Sequence, residues 1–173
     1  MAKLFRCRIC GDPYIGEKAP TRCPFCGAYE GFIGEFKDVK VTFDVTLNEK
    51  DKRNVQHALE VEISNASFYF CAADKTEDPE AKQLFKALGK VEAEHATIWS
   101  KLLQLPKEAI KPMPVCSTLY KDNLNESHNR ETRAIEFYKQ AAKESTDKRV
   151  REIFAALVQV ETDHLGLSED RLK

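Results

Sequence analysis

From about Asn48 to Lys173, apolar residues recur three and four positions apart among strong helix formers, the spacing of helices that bury one face. The first 36 residues have no such period and are rich in Cys, Gly and Pro. Between them, residues 36–47 (FKDVKVTFDVTL) alternate polar and β-branched positions, which predicts a short strand or an extended linker. The pattern therefore divides the chain into a module over 1–36, a linker over 37–48 and a helical domain over 49–173.

The helical part repeats itself with a period of 69 residues and no gap. The shift lays Glu62 on Glu131, Phe68 and Tyr69 on Phe137 and Tyr138, and Phe85 on Phe154. It also lays Val91 and Glu92 on Val160 and Glu161, and His95 on His164. A duplicated helical hairpin explains this better than chance. Asp78 followed by Pro79 marks the turn of the first hairpin (49–104), and Asp147 that of the second (117–172). Between them Pro106, Pro112 and Pro114 exclude a continuous helix over 105–117. Those residues could span roughly 40 Å when extended, whereas a helix of about 25 residues is roughly 37 Å long. The third helix can therefore start parallel to the second, as a ferritin-like four-helix bundle requires.

Four carboxylates and two imidazoles fall on faces that should be buried. Glu62 lies among Ala58, Ala66 and Tyr69, and Glu131 among Leu124, Ala134, Ile135 and Tyr138. Glu92 and His95 continue the stripe Ala81, Phe85, Leu88, while Glu161 and His164 follow Phe154 and Leu157. A single Glu-x-x-His on a helix reads as an exposed pair. Two in phase, each 30 residues beyond an aligned glutamate, call for a multiply charged partner, because buried carboxylates need one. One Glu from each first helix and Glu-x-x-His from each second helix is the ligand set of di-metal carboxylate bundles. Oxygen-rich ligands with one imidazole per metal suit iron or manganese. Tyr69 and Tyr138 are placed to hydrogen-bond this cluster and are the candidate catalytic-site side chains beside the ligands. His57 and His128 have no in-phase counterpart and read as surface residues. Glu126 is likewise out of phase and is not a candidate ligand.

Charge excludes some functions. Lys and Arg total 27 against 28 Asp and Glu, a net charge of -1, which leaves no basic footprint for nucleic acid or a membrane surface. With no run approaching the roughly 20 apolar residues of a membrane span, the expectation is a soluble, cytoplasmic protein. Six cysteines there argue for metal before disulfides. Cys7-x-x-Cys10-Gly11 and Cys23-x-x-Cys26-Gly27, twelve residues apart, predict two tight knuckles around a tetrahedral S4 site. Cys71 and Cys116 are left as unpaired thiols. Four thiolates do not distinguish zinc from iron. A structural zinc ribbon is the plain reading of the knuckles alone, and a neighbouring di-metal centre favours an iron electron carrier.

The combination resembles the rubrerythrin family over nearly the whole chain. Phe5–Gly11, Ala19-Pro20 and Cys23-Pro24-Phe25-Cys26 are similar to that family's rubredoxin-like module. Glu62, Glu92, His95, Glu131, Glu161 and His164 match its di-iron ligands position by position. The module precedes the bundle, as in reverse rubrerythrins. The resemblance implies a mainly α chain, a ferritin-like bundle with an N-terminal four-cysteine module. It implies one iron or zinc at the four-cysteine site and two iron, or manganese or a mixed pair, in the bundle. It further implies a peroxidase of oxidative-stress defence that reduces hydrogen peroxide. Electrons would come from a rubredoxin or an NAD(P)H-dependent reductase, in homodimers whose four-cysteine site serves the partner's bundle. One departure stands out: typical members carry another glutamate three residues after the third-helix ligand, and here that position is Ala134. Two other readings remain: an iron-storage or sensing protein with a zinc knuckle, and an oxygen-reducing or hydroxylating di-iron enzyme.

Overall fold

Three of the four helices begin where the sequence supplies a side-chain cap. The computed structural model describes residues 1–107, 109–113 and 115–173, with helices α1 (Glu49–Lys75), α2 (Pro79–Leu102), α3 (Tyr120–Glu144) and α4 (Lys148–Leu172). Asn48 Oδ1 accepts from the backbone N–H groups of Lys50 and Asp51. Asp78 does the same for Ala81 just ahead of Pro79, and Asp147 for Arg149 and Val150. Each cap satisfies donors that a first helical turn leaves without partners.

Asn54 reaches Glu144 and Tyr69 reaches Ser127, so α1 and α3 run antiparallel. Trp99 lies on Phe154 with ring centroids 4.4 Å apart while Arg171 meets Glu80, so α2 and α4 are antiparallel too. With α1 antiparallel to α2, α3 runs parallel to α2, and the fold is the ferritin-like four-helix bundle expected. The connection returns along α1: Ser67 donates to Lys111 O at 2.7 Å and the N–H of Met113 to Ser67 O at 3.1 Å. Pro114 lies outside the described residues.

That return path corrects one expectation. Cys71 and Cys116 are not unpaired; they form a disulfide, with Cα atoms 6.1 Å apart. The crossover carries Cys116 back to the turn of α1 that holds Cys71, a neighbourhood that neither helical period nor local spacing reveals.

Ahead of the bundle, β1 (Lys3–Cys7) pairs antiparallel with β2 (Pro13–Gly16) on one side and β3 (Ile33–Glu35) on the other. Residues 36–47 form no strand: residues 36–38 make a turn, with the N–H of Asp38 on Glu35 O, and 39–47 carry no regular secondary structure. Phe43, Val45 and Leu47 turn one apolar face to the bundle. The cations of Lys101 and Arg149 lie over the Phe43 ring, 5.3 and 5.2 Å from its centroid, and Arg149 Nε donates to Thr42 O. Side chains of the bundle, rather than a β-ladder, hold this segment. Among the described residues no helix is long and apolar enough to cross a membrane.

Candidate metal centres

Each Cys-x-x-Cys-Gly closes a turn: the N–H of Gly11 donates to Cys7 O and that of Gly27 to Cys23 O. Both glycines have positive φ, 88° and 72°, the conformation that glycine adopts without a Cβ penalty. The four Sγ atoms converge in a buried group, with Cys7 and Cys26 3.7 Å apart and Cys10 and Cys23 3.7 Å apart. A tetrahedron with metal–sulfur bonds of about 2.3 Å has edges of about 3.8 Å, so this donor set fits a metal ion. Thiol contacts split the group: hydrogen bonds, Cys10's foremost, push the Cys7 thiol down, while Cys23's contact pushes Cys10 up.

The knuckles rest on α2 and α4 of the same chain. Arg149, with only 10% of its side chain exposed, donates to the carbonyls of Arg8 and Ile9 at 2.6 and 3.0 Å. Lys101 donates to Cys10 O at 2.8 Å, and Asp163 accepts from Arg22 and Tyr29. Closest to the bundle's centre, His95 Nε2 lies 2.9 Å from the carbonyl oxygen of Cys26.

In the bundle, Glu62, Glu92, His95, Glu131 and Glu161 are fully buried and His164 nearly so. They form two groups that share two members: Glu62, Glu92, His95, Glu161 and Glu92, Glu131, Glu161, His164. The pseudo-two-fold of the repeat is thus present in the site, with Glu92 and Glu161 common to both halves. His95 Nδ1 lies 3.0 Å from both Glu92 and Glu161 and 3.5 Å from Glu62. His164 Nδ1 lies 2.9 Å from both Glu92 and Glu161. One N–H cannot serve so many acceptors, and one oxygen each of Glu62, Glu92, Glu131 and Glu161 is left without a hydrogen bond. Ligands about 2.1 Å from a metal and at right angles are about 3.0 Å apart, so these spacings fit metal ions between the groups.

The electrostatics follow. Burial, reinforced by Glu92 and Glu161, pushes the Glu62 and Glu131 carboxyls well above the usual range. For His95 burial works the other way, but Glu161, Glu62 and Glu92 overrule it and raise the imidazole. His164 behaves alike under Glu92 and Glu161. Glu92 resists its burial and is held low by His164 and His95. Tyr138 donates to Glu62 and Tyr69 to Glu131, each reaching the carboxylate of the other repeat.

Glu126 stands apart from the cluster and pairs with Arg130 at 2.8 Å. His57 is exposed against the Phe137 ring, whereas His128 is half-buried and contributes to neither metal group. Sequence reading missed Arg149, Lys101 and Asp163, the docking residues, since isolated charges on amphipathic helices carry no distinguishing pattern.

A four-helix bundle with two carboxylate–imidazole groups in its core and an S4 knuckle docked on one of the imidazoles defines a metal-binding protein of the ferritin-like class. The family model described as Rubrerythrin matches residues 53–170, and the chain belongs to the rubrerythrin family. It is similar to Reverse rubrerythrin-1 of Clostridium acetobutylicum, 30% identical over 112 residues, which span 58% of this chain and 62% of that protein. The match thus covers less than two thirds of that relative.

Proposed function

We propose that the protein is a non-haem di-iron peroxidase that reduces hydrogen peroxide to water (H2O2 + 2 H+ + 2 e− → 2 H2O). Cys7, Cys10, Cys23 and Cys26 would hold an iron ion through which electrons are supplied. The observation that carries this reading is the position of His95, whose Nδ1 faces Glu62, Glu92 and Glu161 while its Nε2 lies on Cys26 O. A single imidazole spans the two centres within one chain. With Nε2–H donated to the carbonyl, the Nδ1 lone pair is free to take a metal, and ring orientation is fixed.

Glu62 and His95 would hold one ion and Glu131 and His164 the other, with Glu92 and Glu161 belonging to both groups. Four carboxylates balance the charge of two divalent cations. When bound, the ions supply Lewis acidity and two electrons. Tyr138 and Tyr69 hold Glu62 and Glu131 in orientation. The setting is oxidative-stress defence in the cytoplasm, with a rubredoxin or an NAD(P)H-dependent reductase as donor and a homodimer as the assembled form. The contact between His95 and Cys26 within one chain supports a dimer whose four-cysteine modules stay on their own bundles.

The test is elemental analysis with anaerobic peroxide titration. About three iron per chain, one at the S4 site and two in the bundle, and reoxidation of the reduced protein by stoichiometric peroxide are expected. Failure of reoxidation sinks the peroxidase reading. Zinc held at the knuckle would favour iron storage or sensing instead.

A further inference from the structure

A cleft of about 340 Å³ opens between α1 and α3, on the residues that flank Glu62 and Glu131. Asn65 and Ala134, both buried, form its floor, and the half-buried Val61, Arg130 and Phe137 form its walls. The floor residues occupy the same position of the two repeats, 69 apart, each one turn beyond a cluster carboxylate. Asn65 is only 3% exposed, and its Oδ1 accepts from Arg130 at 3.2 Å, which fixes the amide's orientation. Its Nδ2 then has no partner. A buried donor left unpaired is costly, and a ligand's acceptor removes that cost. Arg130 is already engaged by Glu126, Ser64 Oγ and the Phe68 ring, and the exposed Arg133 at the rim also faces Glu126, at 3.8 Å.

We propose that this cleft binds organic hydroperoxides, which widens the substrate class beyond hydrogen peroxide; the proposal rests on the peroxidase reading. The hydroperoxide oxygens accept from Asn65 Nδ2, on the helical turn that follows Glu62, and the hydrocarbon group lies on Val61, Ala134 and Phe137. Size favours this occupant. Small-molecule sites are about 300–1,000 Å³, and a molecule little larger than water, whose share of liquid volume is about 30 Å³, leaves most of the cleft unfilled. The reaction is ROOH + 2 H+ + 2 e− → ROH + H2O. The O–O bond breaks, both electrons would come from the reduced iron pair that the cluster would hold, and both protons come from solvent.

Two measurements on the iron-loaded full chain test this. In turnover, cumene hydroperoxide is reduced, and Ala134→Leu, which fills the floor, raises its KM about tenfold relative to that of hydrogen peroxide. In calorimetry, 2-phenyl-2-propanol, the inert alcohol product, binds the native chain and not the Ala134→Leu protein. Val61→Phe, in the wall, gives the same selective loss should the first variant fold poorly. The proposal is overturned if hydrogen peroxide is reduced but cumene hydroperoxide is not and the alcohol does not bind. Equal effects of both substitutions on both oxidants overturn it as well. Absence of hydrogen peroxide turnover sinks the peroxidase reading instead, and alcohol binding on the same sample decides the cleft separately.

Discussion

Tyr138 donates its phenol hydrogen to Glu62, and both side chains are completely buried. Burial and the carboxylate together push the phenol's pKa well up, so the proton stays on the tyrosine. Removing the hydroxyl leaves a buried carboxylate oxygen without its donor. Tyr138→Phe is expected to destabilise the protein by about 1–3 kcal/mol. Metal affinity should fall about 10–100-fold, read by competition with a chelator. Tyr69→Phe acts likewise through Glu131 and also strands Ser127 Oγ, 2.8 Å from the phenol. Unchanged affinity in both variants would show that the tyrosines do not orient the carboxylates.

Without metal, Glu62, Glu131, His95 and His164 all titrate above their ordinary ranges, and Glu94, raised by burial and by Asp12, to about 7. A raised folded-state pKa means that the folded chain binds more protons than the unfolded one, so this stabilisation is present at low pH and lost as pH rises. Glu92 is shifted the other way, but its contribution is complete above the carboxylate range and flat near neutrality. The chelator-treated protein should therefore lose Tm between about pH 5.5 and 8. The metal-loaded protein should do the reverse, because ligands must shed protons to bind metal. Parallel pH profiles of the two forms would refute the assignment of the cluster as ligands.

Helix count, caps, crossover and the six cluster residues are legible in the sequence because each leaves a local or repeated mark. Asp78 before Pro79 is a chain-local signal, and Glu62 on Glu131 a periodic one. What is not legible depends on long-range docking. The disulfide of Cys71 with Cys116 and the seat of Cys26 on His95 link residues 45 and 69 positions apart, with no periodicity between them. The linker is an intermediate case: its alternation is visible, but whether a ladder or the bundle receives it is not. Ala134 is visible as a missing acid, whereas its pairing with Asn65 as a cleft floor needs the bundle.

The disulfide closes the crossover onto α1 with a sequence separation of 45. A loop of that length restricts the unfolded chain by about 4 kcal/mol in the loop-entropy model, and measured values are typically about 2–4. Cys116→Ser should lower unfolding stability by about that amount in non-reducing buffer. In excess dithiothreitol the variant and the native chain should converge. A difference that persists under reduction would mean that Cys116 stabilises by packing against the crossover cluster rather than by cross-linking.

Gly27 both turns at φ 72° and approaches α4 so closely that an added Cβ would lie 2.8 Å from Val160 Cγ1. Two costs therefore attend Gly27→Ala. The left-handed backbone is worth about 1–2 kcal/mol, and the clash would lift the second knuckle, and Cys26 O with it, from His95. The expected result is destabilisation of the metal-loaded chain by about 2–3 kcal/mol, the backbone cost plus a steric share of about 1. Electron transfer from the reduced four-cysteine site to the bundle, followed by stopped flow, should slow. Val160→Ala separates the two costs, since it removes the colliding methyls without touching φ. The double variant should be less destabilised than the sum of the singles by about 1 kcal/mol, and transfer should recover in part. Strict additivity would show that the close approach is not what seats the four-cysteine module, leaving Arg149, Lys101 and Asp163 to hold it alone.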